Sequence, residues 1–267
     1  MEPVAQVQAA PSEARPVQKE ILPAAVLSQF EDRAVTIAGG AKQGEVYHYR
    51  LLKPAQIEPG KKYPVVLFLH GAGERGSDNI KQLLYLPQWL AEADNRAKFP
   101  CFLVAPQCPT GQKWADVDWS SAQPQAAPPL NDAMRNAVAA LDDCVQNFPV
   151  DEDRVYLTGL SMGGYGSWDL AMRRPERFAA VAPVCGGGDN TQAARIKDLP
   201  IWAWHGDQDK AVPVERSRSM IAAIEKAGGK PKYTELPGVG HSSWNQAYHG
   251  PENLLPWLFE QRRNIVR

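Results

Sequence analysis

The chain has 267 residues, of which 44% are hydrophobic and 22% charged, and its formal net charge is −1. The length suits one large globular domain or two small ones, and the near-neutral charge without a basic stripe argues against nucleic acid as a partner. No apolar run approaches the roughly 20 residues that a membrane-spanning helix requires, so we expect no membrane insertion.

Residues 1–29 predict a flexible N-terminal arm, and residues 30–267 predict a single catalytic domain. The arm is rich in Ala, Pro, Gln and Val and lacks the positively charged start and apolar core of an intact signal peptide. Such an arm suits the start of a mature secreted or periplasmic protein, and equally a cytoplasmic tail. The sequence therefore leaves the localisation open, as it does the oligomeric state.

Strand and helix patterns alternate along the rest of the chain. Two strands at residues 34–38 and 45–52 predict an antiparallel hairpin. Apolar runs then predict strands at 64–69, 101–105, 155–158, 178–184 and 201–204, and residues 232–236 have a strand-like pattern. Between and after them, helical patterns occupy 80–93 (interrupted near Pro87), 131–148, 165–173, 192–197, 214–227 and 254–261. This alternation predicts an α/β protein: a mostly parallel sheet with helices on both faces.

A Gly-x-Ser-x-Gly pattern at residues 159–163 lies between a predicted strand and a predicted helix. In that context Ser161 is predicted to sit on a sharp strand-to-helix turn, which Gly159 and Gly163 allow to close without a steric clash. The helix would direct its positive N-terminal end at the site. Ser161 is therefore the candidate nucleophile, and it needs a base and an orienting acid.

In this arrangement the partners follow in the order Ser, then Asp or Glu, then His. His241 and His249 satisfy that order, and His241 is favoured because its loop directly follows the strand at 232–236. Asp207 and Asp209 compete as the acid, since both lie in the loop after the strand at 201–204.

The acid loop, with the sequence His-Gly-Asp-Gln-Asp-Lys-Ala-Val-Pro at residues 205–213, resembles that of the α/β-hydrolase superfamily. The resemblance extends over residues 35–259 and is strongest to the bacterial carboxylesterase, feruloyl-esterase and phospholipase/carboxylesterase-like branch. It implies that Asp209 is the acid that orients His241. It also implies acylation of Ser161 followed by hydrolysis by water. This chemistry requires no metal and no cofactor, and none is predicted.

The loop that follows the strand at 64–69 is glycine-rich and can present backbone N–H groups to a tetrahedral intermediate. The resemblance implies that the N–H groups of Ala72 and Met162 form the oxyanion hole, with Gly73 as an alternative to Ala72. His70 is then expected to be a hydrogen-bonded anchor for the loop.

Several aromatic residues lie on or beside segments that should flank the serine. Trp114, Trp119 and Trp244, together with Gly73, are the candidate substrate contacts. Trp168 lies on the serine helix, where packing in the core is its expected role.

The segments around the serine predict an open, shallow site. Only about 15 residues separate the strands at 178–184 and 201–204, which leaves no room for an inserted lid domain. The proline-rich segment at 106–129 is predicted to form a stiff wall. Short acyl groups should therefore be preferred.

The predicted function is a serine carboxylesterase that hydrolyses short-chain acyl esters, including aromatic or polysaccharide-linked ones, so its substrate would be a small-molecule or polymer-linked ester. One alternative is a prolyl-oligopeptidase-like serine peptidase, against which the lack of a large N-terminal propeller argues. Another is a catalytically silent binding module on the same fold. The right residue type stands at every catalytic position, and this argues against a silent module.

Overall fold

A computed structural model describes residues 22–37, 39, 41–117 and 129–263. Within these ranges the strands are β1 (Phe30–Thr36), β2 (Val46–Leu52), β3 (Tyr63–Leu69), β4 (Phe102–Pro106), β5 (Val150–Leu160), β6 (Ala180–Val184), β7 (Trp202–Gly206) and β8 (Lys232–Leu236). The helices are α1 (Ala24–Leu27), α2 (Leu86–Leu90), α3 (Ala93–Lys98), α4 (Asp132–Asn147), α5 (Met162–Arg173), α6 (Glu215–Lys226), α7 (Trp244–His249) and α8 (Leu255–Glu260).

The strands form one sheet in the order β1-β2-β4-β3-β5-β6-β7-β8. β1 and β2 are an antiparallel hairpin that joins the rest of the sheet through an antiparallel β2–β4 pair. From β4 to β8 all neighbours are parallel. The predicted fold class, a mostly parallel sheet with an N-terminal antiparallel hairpin, is confirmed.

Helices cover both faces of the sheet. Successive side chains along a strand point to opposite faces, so each central strand contributes to a buried cluster on either side. On one face Leu67 of β3 belongs to a buried cluster with residues of α4, α5 and α6. On the other face its neighbour Phe68 belongs to a cluster with residues of α2, α7 and α8. All seven residues of β3 are buried, as its uninterrupted apolar run predicts for a central parallel strand.

Two predicted helices take a different form. The predicted helix at 80–93 is replaced by a 3₁₀ turn (Lys81–Leu83), α2 and α3. Pro87 lies in the first turn of α2, where its missing N–H leaves no hydrogen bond unmade, so it helps to start a helix instead of interrupting one. The predicted helix at 192–197 is a 3₁₀ helix, Asn190–Ile196.

Of the predicted arm, only residues 22–29 are described. They include α1, and Leu22, Val26 and Leu27 pack against the cluster on the α7 and α8 side of the sheet. This portion of the arm therefore lies against the domain. Among the helices in the described ranges, none combines the length and the apolar character that crossing a bilayer would require.

Candidate active site

The candidate catalytic residues come from loops at one edge of the sheet. Ser161 follows β5, Asp209 follows β7, and His241 lies in the loop between β8 and α7. The carboxyl ends of neighbouring parallel strands meet at the same edge, which is where α/β proteins form their sites. Residues that are 80 positions apart along the chain are thereby brought into contact.

Ser161 occupies a strained turn between β5 and α5. Its backbone has φ 54° and ψ −116°, a left-handed conformation that a residue other than glycine rarely adopts. A Cβ atom on Gly163 would lie 1.8 Å from the carbonyl oxygen of Leu69, and one on Gly159 would lie 2.5 Å from that of Gly163. The two glycines of the pattern are therefore required by the close approach of β3, β5 and α5.

His241 connects the serine to an aspartate. Its Nε2 lies 2.9 Å from Ser161 Oγ, and its Nδ1 lies 2.7 Å from Asp209 Oδ2. Because a carboxylate only accepts, Nδ1 must carry the hydrogen, and Nε2 is left free to accept the serine hydroxyl proton. The Asp209 side chain is fully buried, whereas the His241 side chain is 28% exposed. The imidazole can therefore reach both a buried acid and an incoming substrate.

The Asp209 carboxylate has donors on both oxygens. Oδ1 accepts the backbone N–H groups of Ala211 and Val212 at 2.8 and 2.9 Å. Oδ2 faces His241 and also lies 3.2 Å from Nε2 of His205. Burial by itself would raise the pKa of Asp209, but the contacts with His205, His241 and the Val212 N–H outweigh it and hold that pKa below its usual range. The acid is therefore a carboxylate in the folded protein.

The competing candidates lie elsewhere. Asp207 Oδ1 accepts the backbone N–H of Gly238 at 2.7 Å, which ties the acid loop to the loop that carries His241. The His249 ring stacks on Trp89 at 4.9 Å, and its side chain is 53% exposed. Neither Asp207 nor His249 belongs to the hydrogen-bonded series of Asp209, His241 and Ser161.

The glycine-rich loop after β3 lies beside the serine. A Cβ atom placed on Gly71 would lie 3.7 Å from Ser161 Cβ, and a 3₁₀ turn (Ala72–Glu74) follows. Met162 is the first residue of α5, so its N–H belongs to the unpaired N-terminal turn of that helix. A Cβ atom on Gly73 would meet no other atom within 4 Å, so this position borders open space.

His70 anchors that loop from behind. Its Nδ1 lies 2.6 Å from the Gly71 carbonyl oxygen, and its Nε2 accepts the backbone N–H of Cys108 at 2.9 Å. Only the neutral ring with hydrogen on Nδ1 satisfies both contacts. Complete burial lowers the pKa of His70 to about 4, in agreement with a neutral ring. The sequence-based expectation of a structural His70 agrees with this geometry.

The predicted substrate contacts are placed differently from one another. Trp114 is 1% exposed, and its Nε1 donates to the His70 carbonyl oxygen at 2.9 Å. Trp114 is predicted to contact substrate, but in the structure it lies in the core and supports the loop that carries His70. Trp244 is half-buried, and its ring stands perpendicular to that of His241 at 5.3 Å. Trp119 lies outside the described residues, and Trp168 is buried in the core as expected.

Three residues near the site were not among the predicted ones. His205 contacts the acid, as described above. Tyr85 has φ 66° and ψ −119°, close to the values of Ser161, and its ring lies 5.4 Å from Trp244. Cys185 follows β6 with φ 40°. Neither Tyr85 nor Cys185 lies in a catalytic motif such as Gly-x-Ser-x-Gly, so the sequence did not identify either as a site residue.

Cys185, Asp209 and His241 also bring three metal-ligating atoms within 4.8 Å of one another. The carboxylate and imidazole atoms of this group hydrogen-bond each other at 2.7 Å, which leaves no space for an ion between them. Burial raises the pKa of the Cys185 thiol, so the sulfur keeps its proton and is a poor ligand. The donor set therefore suits proton transfer better than cation binding.

Comparison with known proteins places this architecture in a family. The phospholipase/carboxylesterase family model matches residues 54–250. A thermostable esterase of known structure is 37% identical, with a TM-score of 0.79 over 89% of this chain. The chain spans 64% of the length of that esterase chain.

Two further relatives are described as esterases, and a third is described only as secreted. A probable carboxylesterase of Arabidopsis thaliana is 26% identical over 74% of this chain and 79% of its own length. A probable feruloyl esterase C of Aspergillus niger is 24% identical over 79% of this chain and 73% of its own. A secreted protein of Arthroderma benhamiae is 25% identical over 74% of this chain, which spans 24% of that protein.

These matches confirm the predicted resemblance, and at the level of the family they confirm the predicted enzyme class, a serine ester hydrolase. The family model alone covers most of the chain. The chain belongs to the phospholipase/carboxylesterase family and has the α/β-hydrolase fold.

Proposed function

We propose that this protein is a serine carboxylesterase in which Ser161 is the nucleophile, His241 the general base and Asp209 the orienting acid. The observation that carries the proposal is the unbroken hydrogen-bonded series from Ser161 Oγ to His241 Nε2, at 2.9 Å, and from His241 Nδ1 to Asp209 Oδ2, at 2.7 Å. These distances lie within the range in which a base accepts the proton of a nucleophile.

Acylation begins when Ser161 Oγ attacks the ester carbonyl carbon while its proton passes to His241 Nε2. The imidazolium that forms is stabilised by the buried Asp209 carboxylate. The negative oxygen of the tetrahedral intermediate accepts hydrogen bonds from the N–H groups of Met162 and Ala72, with Gly73 as the alternative donor. His241 then gives its proton to the leaving alcohol, and an acyl-enzyme remains.

Deacylation repeats these steps with water. His241 takes a proton from the water molecule, whose oxygen attacks the acyl carbonyl carbon, and the tetrahedral intermediate forms again. Collapse of this intermediate returns the proton to Ser161 Oγ and releases the carboxylic acid. No step requires a group beyond the residues named and water.

The substrates are proposed to be short-chain acyl esters, free or attached to a polymer. The interval between β6 and β7 carries the 3₁₀ helix Asn190–Ile196, and no inserted lid domain is found in this described interval. The feruloyl esterase relative extends the proposal to aromatic esters. The Trp244 ring beside His241 gives an aromatic group a surface to pack on.

The test measures turnover of p-nitrophenyl acetate, butyrate and dodecanoate and of the matching p-nitroanilides. We expect the acetate and butyrate esters to be hydrolysed fastest and the anilides to be poor substrates. Ser161→Ala should lose activity. The matched control, Ser167→Ala, changes a buried serine on the same helix and should keep it. Preferential cleavage of the anilides would favour a peptidase, and inactivity of the folded protein toward all esters would favour a silent module.

A further inference from the structure

We propose that His205 is a positioning residue for Asp209, holding the acid in the orientation in which it receives His241. The inference rests on the proposed function, because it assigns to His205 a part in the same reaction. His205 lies near the end of β7, and its side chain is fully buried.

The acceptors around the His205 ring determine where its hydrogen lies. Nε2 is 3.1 Å from the Val212 carbonyl oxygen and 3.2 Å from Asp209 Oδ2. Neither a carbonyl nor a carboxylate oxygen can donate, so Nε2 must carry a hydrogen and share it between the two acceptors. The other nitrogen, Nδ1, lies 2.8 Å from the Ser217 hydroxyl of α6, which fixes the plane of the ring.

His205 thereby supports the acid loop at two positions. It contacts the Asp209 carboxylate in the middle of the loop and the Val212 carbonyl near its end, while the Val212 N–H returns to Asp209 Oδ1. The loop is closed on itself and fastened to the buried β7. A substrate or solvent molecule cannot displace this contact, because the ring has no exposed surface.

The oxygen that His205 contacts is the one that receives His241. During the proposed reaction His241 gains and loses a proton, so the strength of its bond to Asp209 Oδ2 changes within each turnover. In the proposed reaction His205 transfers no proton, and it supplies a constant N–H to the same oxygen. A carboxylate held in this way keeps its orientation while its catalytic partner changes charge.

The experiment compares two substitutions that preserve different nitrogens of the ring. In His205→Gln the side-chain amide nitrogen reaches the position of the histidine Nε2. Its two N–H groups can donate to the Val212 carbonyl oxygen and to Asp209 Oδ2. The amide of His205→Asn extends only to the place of Nδ1, near Ser217. Both variants are assayed for kcat and KM with p-nitrophenyl acetate, and their thermal unfolding is recorded.

His205→Asn should lower kcat by about 10- to 100-fold with KM nearly unchanged, because a misplaced acid impairs the chemical step. His205→Gln should keep kcat within about threefold of the unsubstituted protein. A buried histidine with a purely structural role would not make this distinction. Equal losses in the two variants, or an unchanged kcat in His205→Asn, would overturn the inference.

If neither variant folds, the inference is tested without changing His205. With ¹⁵N-labelled histidine, the Nε2–H signal of His205 should shift when Asp209→Asn removes the charge of its acceptor, whereas the His70 signals should stay in place. An unchanged Nε2–H chemical shift of His205 in Asp209→Asn would contradict the inference.

Ser161→Ala is assayed beside the His205 variants. Full activity in Ser161→Ala would remove the proposed function itself. An inactive Ser161→Ala together with a fully active His205→Asn would remove only the role of His205.

Discussion

Two His-Gly pairs lie at the ends of strands and have different roles. His70-Gly71 follows β3, and His205-Gly206 ends β7. His70 uses both ring nitrogens on backbone groups, accepting from the Cys108 N–H and contacting the Gly71 carbonyl oxygen. His205 instead presents an N–H to the carbonyl oxygen of Val212 and the carboxylate of Asp209. The His70 ring must therefore carry hydrogen on Nδ1, whereas the His205 ring must carry it on Nε2.

The groups that contact a buried histidine, and not its local sequence, therefore decide its role in the site. His70 shapes the loop that is proposed to stabilise the oxyanion, and it does so as a neutral ring. His205 lies against the charged acid. If the account is right, substitutions around the acid loop should change the chemical step, whereas a substitution at His70 should change the pH dependence of stability.

The largest loss of activity is expected at the base that the acid loop serves. His241→Ala removes the group that takes the Ser161 proton, and kcat should fall by about 10⁶-fold, as when a member of a catalytic triad is lost elsewhere. His249→Ala is the control, since that ring stacks on Trp89 on the surface. Steady-state assays of both variants check the ranking, and a strong loss in His249→Ala with an active His241→Ala would reverse the assignment.

The next largest effect is expected at the acid. Asp209→Asn should lower kcat by about 10⁴-fold, because the amide can no longer hold His241 with its hydrogen on Nδ1. Asp207→Asn, two residues away, should have a small effect, because Asp207 bonds only the Gly238 N–H among the described contacts of its side chain. If Asp207→Asn proves the more damaging of the two, the acid has been misassigned.

The His70 side of the comparison is tested by stability. The pKa of His70 is lowered from 6.5 to about 4 in the folded protein. Between these pH values the ring is therefore protonated in the unfolded chain and neutral in the folded protein. Stability from this neutral ring is present above pH 6.5 and is lost as the pH falls toward 4. Between pH 7 and 4.5 the loss should be about 2 kcal/mol.

His70→Gln has no such titration, so its free energy of unfolding should decline less over the same pH interval. Denaturant unfolding of both proteins at the two pH values measures the difference. Parallel declines in the two proteins would show that His70 is not held neutral by the fold.

The smallest effect is expected at the aromatic wall beside His241. Trp244→Ala should raise KM for aromatic esters by about tenfold, because an aromatic contact of about 1 kcal/mol and the burial that accompanies it are lost. KM for the acetate ester of a small alcohol should change little. The control is Trp257→Ala, on α8, whose ring packs against Trp202. A uniform loss on all esters would indicate that Trp244 supports His241 and does not bind substrate.

Much of the fold could be predicted from sequence because its signals are local. The apolar run of β3 indicates a buried strand wherever it lies. The helical pattern at 131–148 likewise predicts α4, and Asn131 caps this helix by accepting the Met134 N–H. The helix predicted at 80–93 is wrong because Tyr85 adopts φ 66°, a backbone conformation that a helix cannot accommodate.

The site was predictable only in part for the same reason. The Gly-x-Ser-x-Gly pattern selects Ser161. The order of serine, acid and histidine leaves His241 and His249, and the strand at 232–236 favours His241. The resemblance selects Asp209. The contact of His205 with that acid depends on how the loop after β7 folds back, and Trp114 is buried because it packs under His70. Both contacts depend on how the loops fold in space, which the residue pattern does not predict.

A covalent probe can trap the nucleophile directly. The folded protein is treated with a fluorophosphonate, digested and analysed by mass spectrometry, with Asp209→Asn treated in parallel. We expect one adduct, on the peptide that contains Ser161, formed at a much lower rate in Asp209→Asn. An unmodified Ser161 in protein that hydrolyses esters, or an adduct on another serine, would contradict it.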